Sequence, residues 1–363
     1  MSLLYLYPEE WTGLLARELH SLATCAALAE SGVELTLVIG GGEGKVREML
    51  VDVAGVADVP GLEIVELSRT LGPIESTSIF SRNFLHWLRS HAPFELAYIT
   101  HLKAGPIVAQ AGIPYVYEAH RIFTQGQSNH ARQKTLHKLE GQVLAMARFH
   151  IATSAPLATA LNTWFGLEKE FAVVPPACLP PLQTGISAPF GPFIYCGSIG
   201  EGSDLGGVIQ AAHDTRLPLR IVGGTEEEWH EVAKQFDVSE IAWQPRVPLR
   251  EVPDVLRGAR AGLVPTNADS PSGEFSCPLK LFDYARCGLQ VVSTALPSLE
   301  SVGVGEWCTP VWCTQVAGPA RAAWTDALRK FAYDAEQAEV ARLWAGEHTW
   351  MQRAEKLKSA LGL

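Results

Sequence analysis

No stretch of this sequence approaches the roughly 18 consecutive apolar residues that a membrane-spanning helix needs. Basic residues are in deficit, 29 Lys and Arg against 39 Asp and Glu, for a net charge of −10. Bulk electrostatics therefore repel nucleic acid, and no nucleic-acid partner is expected. The seven cysteines (Cys25, Cys178, Cys196, Cys277, Cys287, Cys308 and Cys313) are odd in number and form no C-x-x-C pair. That excludes a disulfide framework or zinc site and reads as buried thiols in a reducing compartment. The N-terminal run Met-Ser-Leu-Leu-Tyr-Leu-Tyr-Pro is too short and lacks the basic flank of a secretory leader. The expectation is a cytoplasmic protein, at most peripheral on the inner face of a membrane.

Several nucleotide-handling motifs are also missing. Gly40-Gly-Gly-Glu-Gly-Lys45 invites a phosphate-loop reading, but Val46 stands where Ser or Thr must ligate magnesium, and the glycine spacing is wrong. No G-x-G-x-x-G follows the first apolar run, which disfavours a nicotinamide dehydrogenase. No Asp-x-Asp pair marks a metal–nucleotide site, so neither metal nor cofactor is expected.

What is present is an ordinary globular balance, 47% apolar and 19% charged, over 363 residues. That is more chain than one core usually serves. Short apolar runs at 3–7, 34–39, 97–100, 115–117, 150–153 and 171–174 alternate with helical spacing, such as 13–31. This pattern predicts a parallel sheet with helices on both faces. Residues 174–192 carry Pro175, Pro176, Pro180, Pro181, Pro189 and Pro192 and read as a linker. The alternation restarts at 193–196, 219–222, 241–243, 262–264 and 290–293. Two successive doubly wound halves follow. A last helical stretch, 336–361, fits either half.

Ligands of open α/β sheets bind beyond the carboxyl ends of the strands. The most informative segment there is Glu274-Phe-Ser-Cys-Pro-Leu-Lys-Leu-Phe-Asp-Tyr-Ala-Arg-Cys-Gly288. Pro278 suits a first helical position, with Ser276 or Cys277 capping and Gly288 just past the end. Lys280 falls in the first turn, where a cation is disfavoured unless an anion binds; a diphosphate resolves that conflict. Asp283, three residues on, offers a carboxylate to two ribose hydroxyls. The plain alternative is a surface helix with an incidental Lys and Asp.

From Cys277 to Thr294 the sequence resembles the signature of family 4 glycosyltransferases. There a Pro-x-Lys turn, a Glu-Tyr pair on the helix and a Gly-x-Pro-Val-Val strand surround the nucleotide. Phe193-Ile-Tyr-Cys-Gly-Ser-Ile199 resembles the first strand and glycine turn of that family's donor domain, and Leu219-Arg-Ile-Val-Gly-Gly224 its second. Residues 247–265 resemble the stretch leading to the nucleotide pocket. His348-Thr-Trp-Met-Gln-Arg-Ala354 resembles the closing helix, which in the family packs back on the N-terminal domain. Ile113-Pro-Tyr-Val-Tyr-Glu-Ala-His120 resembles the strand ending in an active-site histidine.

The resemblance implies a GT-B fold, two Rossmann-like doubly wound domains facing a central cleft. An acceptor domain would span 1–185, a donor domain 186–345, and a closing helix 346–363. It implies retaining transfer from a nucleotide sugar, UDP-linked being the commonest type, to a glycan, lipid-linked or other acceptor. Gly197, Ser198, Gly223, Ser276, Cys277, Pro278, Leu279, Lys280 and Asp283 would hold the donor. His120 and Lys280 would serve catalysis, His120 meeting the reacting sugar or acceptor. Gly13, His101, Arg121, Arg246 and Glu274 are further candidates. Three departures stand out. The family's second helix-face Glu is here Asp283. Its first Glu falls at Phe275, one place from Glu274. The Arg and Lys that neutralise the leaving diphosphate are replaced by Ser198 and Glu201. Those losses keep open a non-catalytic nucleotide-sugar-binding protein; an epimerase on the same fold is a third reading.

Two basic amphipathic stretches are candidates for membrane contact. One is 78–91, with Ile79, Phe80, Phe84, Trp87 and Leu88 beside Arg82 and Arg89. The other is 130–150, with Arg132, Lys134, Lys138 and Arg148. Packing on their own sheet is the alternative.

Overall fold

A computed structural model describes residues 2–91, 93–125, 127, 129–200, 202–267, 270, 273–312 and 320–363. Glu201 and Cys313 lie outside the described residues. The chain divides into two compact units, Met1–Pro175 with Trp350–Leu363, and Pro176–Thr349.

The first unit opens with β1 (Ser2–Tyr7), α1 (Ala16–Glu30), β2 (Glu34–Ile39), α2 (Glu43–Ala54) and β3 (Leu62–Glu66). A two-stranded hairpin, β4 (Thr70–Leu71) and β5 (Ile74–Glu75), leads to α3 (Thr77–Leu88). Then come β6 (Leu96–Ile99), α4 (Ala104–Gln110), β7 (Tyr115–Ala119), α5 (His130–Met146), β8 (Phe149–Ala152), α6 (Ala155–Phe165) and β9 (Ala172–Val173). The seven-stranded sheet runs β3-β2-β1-β6-β7-β8-β9, and all its pairings are parallel. Leu3, Leu4, Tyr5 and Leu6 are fully buried, because helices on both faces of a parallel strand bury both sets of side chains. Helix ends follow local chemistry. Ser154 Oγ accepts from the Leu157 amide at the start of α6, and Gly166 ends that helix at φ +61°.

The second unit contains β10 (Phe193–Cys196), α7 (Leu205–Thr215), β11 (Leu219–Val222), α8 (Glu226–Gln235), β12 (Ala242–Gln244), α9 (Val252–Leu256) and β13 (Ala261–Val264). They are followed by α10 (Leu279–Arg286), β14 (Gln290–Thr294), α11 (Pro297–Ser301), β15 (Cys308–Val311), α12 (Ala320–Lys330) and α13 (Ala335–Gly346). Its sheet runs β12-β11-β10-β13-β14-β15, again wholly parallel. Both sheets carry the doubly wound Rossmann order, reversing beside β1 and β10. One core layer of the second unit gathers Leu281, Phe282, Val291 and Trp307, the other Tyr195, Val208, Leu263 and Trp324.

The proline-rich segment after residue 175 is built into the second unit. Amides of Leu182 and Ile186 donate to the carbonyls of Arg286 and Cys287. The single helical stretch read at 336–361 is two helices. After α13, a break at 347–349 leads to α14 (Trp350–Leu361), which belongs to the first unit. Arg353 of α14 reaches Thr24 of α1 at 2.9 Å. In α3, Phe80 and Phe84 are fully buried, so they pack in the core, whereas Arg82 and Arg89 are exposed. No helix of the described residues is long and apolar enough to cross a membrane.

Candidate functional site

In the second unit, the carboxyl ends of β10 and β11 and the start of α10 meet. Gly223, at φ +129° after β11, packs backbone to backbone on Gly197 after β10: a Cβ on Gly223 would stand 2.0 Å from the Gly197 carbonyl oxygen. Trp243 Nε1 donates to the Gly223 carbonyl at 3.0 Å. A Cβ on Gly197 would stand 2.8 Å from both Cε and Nζ of Lys280, so the absent side chain is what admits the lysine. Lys280 Nζ donates to Tyr195 Oη at 2.8 Å and lies 4.0 Å from that ring's centroid. Tyr195 Oη in turn donates to the Ser198 carbonyl. Gly197, Ser198, Gly223 and Lys280 therefore form one cluster.

The helix start differs from its sequence reading. Pro278 is the cap itself, with ψ 131°, no side chain caps the helix, and Leu279 is the first helical residue. Because Pro278 is itself extended, the helix begins one residue later than expected, and neither Ser276 nor Cys277 stands at the cap position. Lys280 remains in the first turn. Ser276 accepts from Ser298 Oγ through its carbonyl. Helix α10 is fastened to the sheet by Tyr284, whose Oη accepts from the Cys196 amide at 2.7 Å. Gly262 makes room for that ring, since a Cβ there would meet it at 2.3 Å.

Asp283 is paired already: its Oδ1 accepts from Nε of the buried Arg286 at 3.1 Å. Burial pushes the Asp283 carboxyl up, against the pull of Arg286. Desolvation raises the Cys196 thiol to about 12, Asp283 adding to the rise and Lys280 opposing it. Arg246 follows β12, its amide donating to the Gly224 carbonyl at 3.3 Å. Glu274 sits exposed in a 3-10 turn, Gly273–Phe275.

The other candidates belong to the first unit. His120 directly follows β7 and is partly exposed. Its Nε2 lies 2.9 Å from Oε1 of Glu118, a fully buried carboxylate. The same oxygen meets Nε2 of buried His20 at 2.8 Å and Nη2 of Arg353 at 2.6 Å, while Tyr98 Oη donates to Oε2. Burial alone would raise Glu118, but Arg353 and then the two imidazoles hold it well below the usual carboxylate range. Burial lowers His20 to about 3.

His101 lies beyond β6, its Nε2 3.5 Å from Glu9 Oε1. Glu9 also pairs with Lys103 at 2.8 Å and Arg17 at 3.0 Å. Burial lowers His101 to about 4. Arg121 stacks over Phe123 at 4.5 Å. Gly13 takes φ +73°, but the flanking amides of Thr12, Leu14 and Leu15 already donate to the buried Glu18 carboxylate at 3.0, 3.1 and 3.2 Å. A protein carboxylate occupies the place where that loop would receive an anion.

Sequence reasoning passed over Glu118, His20, Arg353, Tyr195 and Tyr284. A usable signal existed for two of them: Glu118 interrupts an apolar strand, and Arg353 shares the apolar face of its helix with Trp350, Ala354, Leu357 and Leu361, places that charges enter only when paired.

Residues 18–177 match the family model of a glycosyl transferase 4-like domain, and residues 207–359 that of a glycosyl transferase-like domain. No curated protein sequence matches the chain. Among solved structures, sucrose-phosphate synthase from Thermosynechococcus elongatus superposes with a TM-score of 0.78 at 14% identity, over 100% of this chain and 98% of that one. Anabaena HepE in complex with UDP-glucose gives 0.72 at 14%, over 100% and 99%. WaaG, a glycosyltransferase involved in lipopolysaccharide biosynthesis, gives 0.65 at 14%, over 100% of both chains. At such identities the likeness is one of fold, the GT-B architecture of two Rossmann-like domains.

Proposed function

The chain belongs to the family 4 glycosyltransferases, enzymes that draw a sugar from a nucleotide-sugar donor, and from that premise we propose that its donor is UDP-linked and its transfer retaining. The observation that carries the reading is the cluster of Gly197, Gly223 and Lys280 at the carboxyl edge of the second sheet. The bare Gly197 turn admits Lys280 to the strand ends, where the three donors of its ammonium, one of them given to Tyr195, meet a diphosphate. Lys280 and the amides opening α10 neutralise the departing diphosphate in place of the family's Arg and Lys, so no metal is required. Asp283 keeps acceptor capacity beyond its bond to Arg286 for ribose hydroxyls. HepE is known with UDP and with UDP-glucose, which favours uracil and a hexosyl group. His120 acts at the reacting sugar or its acceptor, a glycan or lipid-linked hydroxyl. The acceptor oxygen takes the anomeric carbon as the diphosphate leaves with the bonding electron pair; the acceptor's proton passes to the diphosphate. Calorimetric titration with UDP in excess EDTA tests the reading. Binding without metal is expected, and binding that returns only with magnesium or manganese overturns it.

A further inference from the structure

Glu118 is a carboxylate with no solvent exposure, yet three cationic or potentially cationic groups converge on it. Arg353 supplies the permanent positive charge at 2.6 Å and is itself held by Thr24 Oγ1 at 2.9 Å and the Pro175 carbonyl at 3.0 Å. One buried arginine balances one buried carboxylate, which leaves no charge for either imidazole to cancel. Tyr98, Tyr5 and Cys25 also face the group. Burial raises all three, so they stay neutral. An ionised carboxylate donates no hydrogen. Each imidazole nitrogen within 2.9 Å of it must therefore carry one. In a neutral imidazole that proton is the only one, and the other nitrogen keeps its lone pair. Nδ1 of His120 has no partner among the described residues.

We propose that Glu118, locked by Arg353 of the last helix, is a positioning residue that fixes His120 as its Nε2–H tautomer and leaves Nδ1 as a hydrogen-bond acceptor for a sugar or acceptor hydroxyl. This rests on the reading that His120 works at the reacting sugar or acceptor. It goes further in giving the histidine a direction: it receives a hydrogen bond from a hydroxyl and does not donate one to the diphosphate. It also gives the C-terminal helix a place in the reaction. His20, Glu118 and His120 are the one cluster with metal-ligand geometry among the described residues. A cation there would need Nε2 lone pairs that the carboxylate contacts have already spent, and would sit beside a buried guanidinium.

The test reads the tautomer apart from activity. Long-range proton–nitrogen spectra of the histidine-labelled full chain at pH 7.5, assigned with His120→Gln, should show neutral His120 protonated on Nε2. An Nδ1–H form, an imidazolium, or stoichiometric zinc in the purified protein overturns the proposal without any further variant. Two double variants separate positioning from folding, since each removes both buried charges together. Glu118→Gln with Arg353→Met keeps a carbonyl acceptor toward Nε2–H; Glu118→Met with Arg353→Met does not. The first should retain the Nε2–H form and stay within about threefold of wild type in kcat, measured as UDP release from the UDP-sugar that binds. The second should show mixed tautomers and a kcat at least tenfold lower, with UDP affinity unchanged in both. Unchanged tautomer and equal kcat in the second variant overturn the proposal. A tautomer that follows the acceptor while kcat does not would uphold the positioning and remove His120 from the reaction.

Discussion

The carbonyl oxygen of Gly197 occupies the space where a side chain at residue 223 would begin, 2.0 Å from an ideal Cβ. The two glycines terminate adjacent strands, and their backbones pack where a diphosphate is proposed to lie. Gly223 also needs its φ of +129°, which side chains rarely adopt.

Gly223→Ala is therefore expected to lose roughly 3 kcal/mol of stability, from strain and a backbone clash that cannot relax. A fall in the thermal midpoint measures it; a midpoint within about one degree of wild type would show that the strands can part cheaply. Gly197→Ala should behave differently, because its obstacle is the flexible end of Lys280. We expect near-normal stability and UDP affinity reduced about tenfold, roughly 1.4 kcal/mol.

Asp283 stands in the second turn of α10, where helix propensity alone favours alanine. Its pairing with the buried Arg286 changes that, since removing one partner leaves a buried cation uncompensated. Asp283→Ala should unfold at clearly lower denaturant than Asp283→Asn, which retains a carbonyl acceptor for Arg286. Asp283→Asn should weaken UDP about tenfold, a loss within the roughly 1.5–3 kcal/mol of a hydrogen bond to a charged group. A 2′,3′-dideoxy nucleotide should bind both proteins alike. Equal UDP affinities in wild type and Asn variant would place the ribose elsewhere.

His120→Ala should lose most turnover while UDP affinity changes by less than about 1.4 kcal/mol, a factor of ten. The nucleotide contacts proposed all lie in the other unit. A variant with a normal rate of UDP release would exclude His120 from the chemistry.

Glu140, buried in α5, accepts from the amides of Phe123 and Thr124 at 3.0 and 3.3 Å, just after His120. Burial raises its carboxyl to about 7, against those amides. A folded-state pKa above the unfolded value means stability that is complete below about 4.3 and lost as pH climbs through 7. Glu140→Gln removes that titration. Wild type should lose up to about 3 kcal/mol relative to Glu140→Gln between pH 4.5 and 7.5. Urea midpoints of the two proteins that run parallel across this range would show that Glu140 titrates normally.

The sequence alone determined the two doubly wound units and most of their strands. Residues 34–39, 193–196 and 219–222 were bounded to the residue, because a parallel strand covered on both faces reads as a mostly apolar run. Two of the edge strands, β3 and β15, escaped for the same reason. β3, at an edge of the first sheet, has its residues only partly buried, and β15, at an edge of the second, contains Pro310, so neither shows such a run. The Gly197, Gly223 and Lys280 positions were legible because each marks a local demand, a bare turn or a first-turn cation. The Glu18 carboxylate filling the Gly13 loop, the Pro278 cap and the pairing of Asp283 with Arg286 are local, each within six residues of chain. Tertiary structure alone decided that the last helical stretch breaks between units. It also decided the partnership of Glu118 with Arg353, 235 positions apart. Periodicity records how much of each residue is buried. Which distant residues share one carboxylate is set only when the helices dock, and no local preference encodes it.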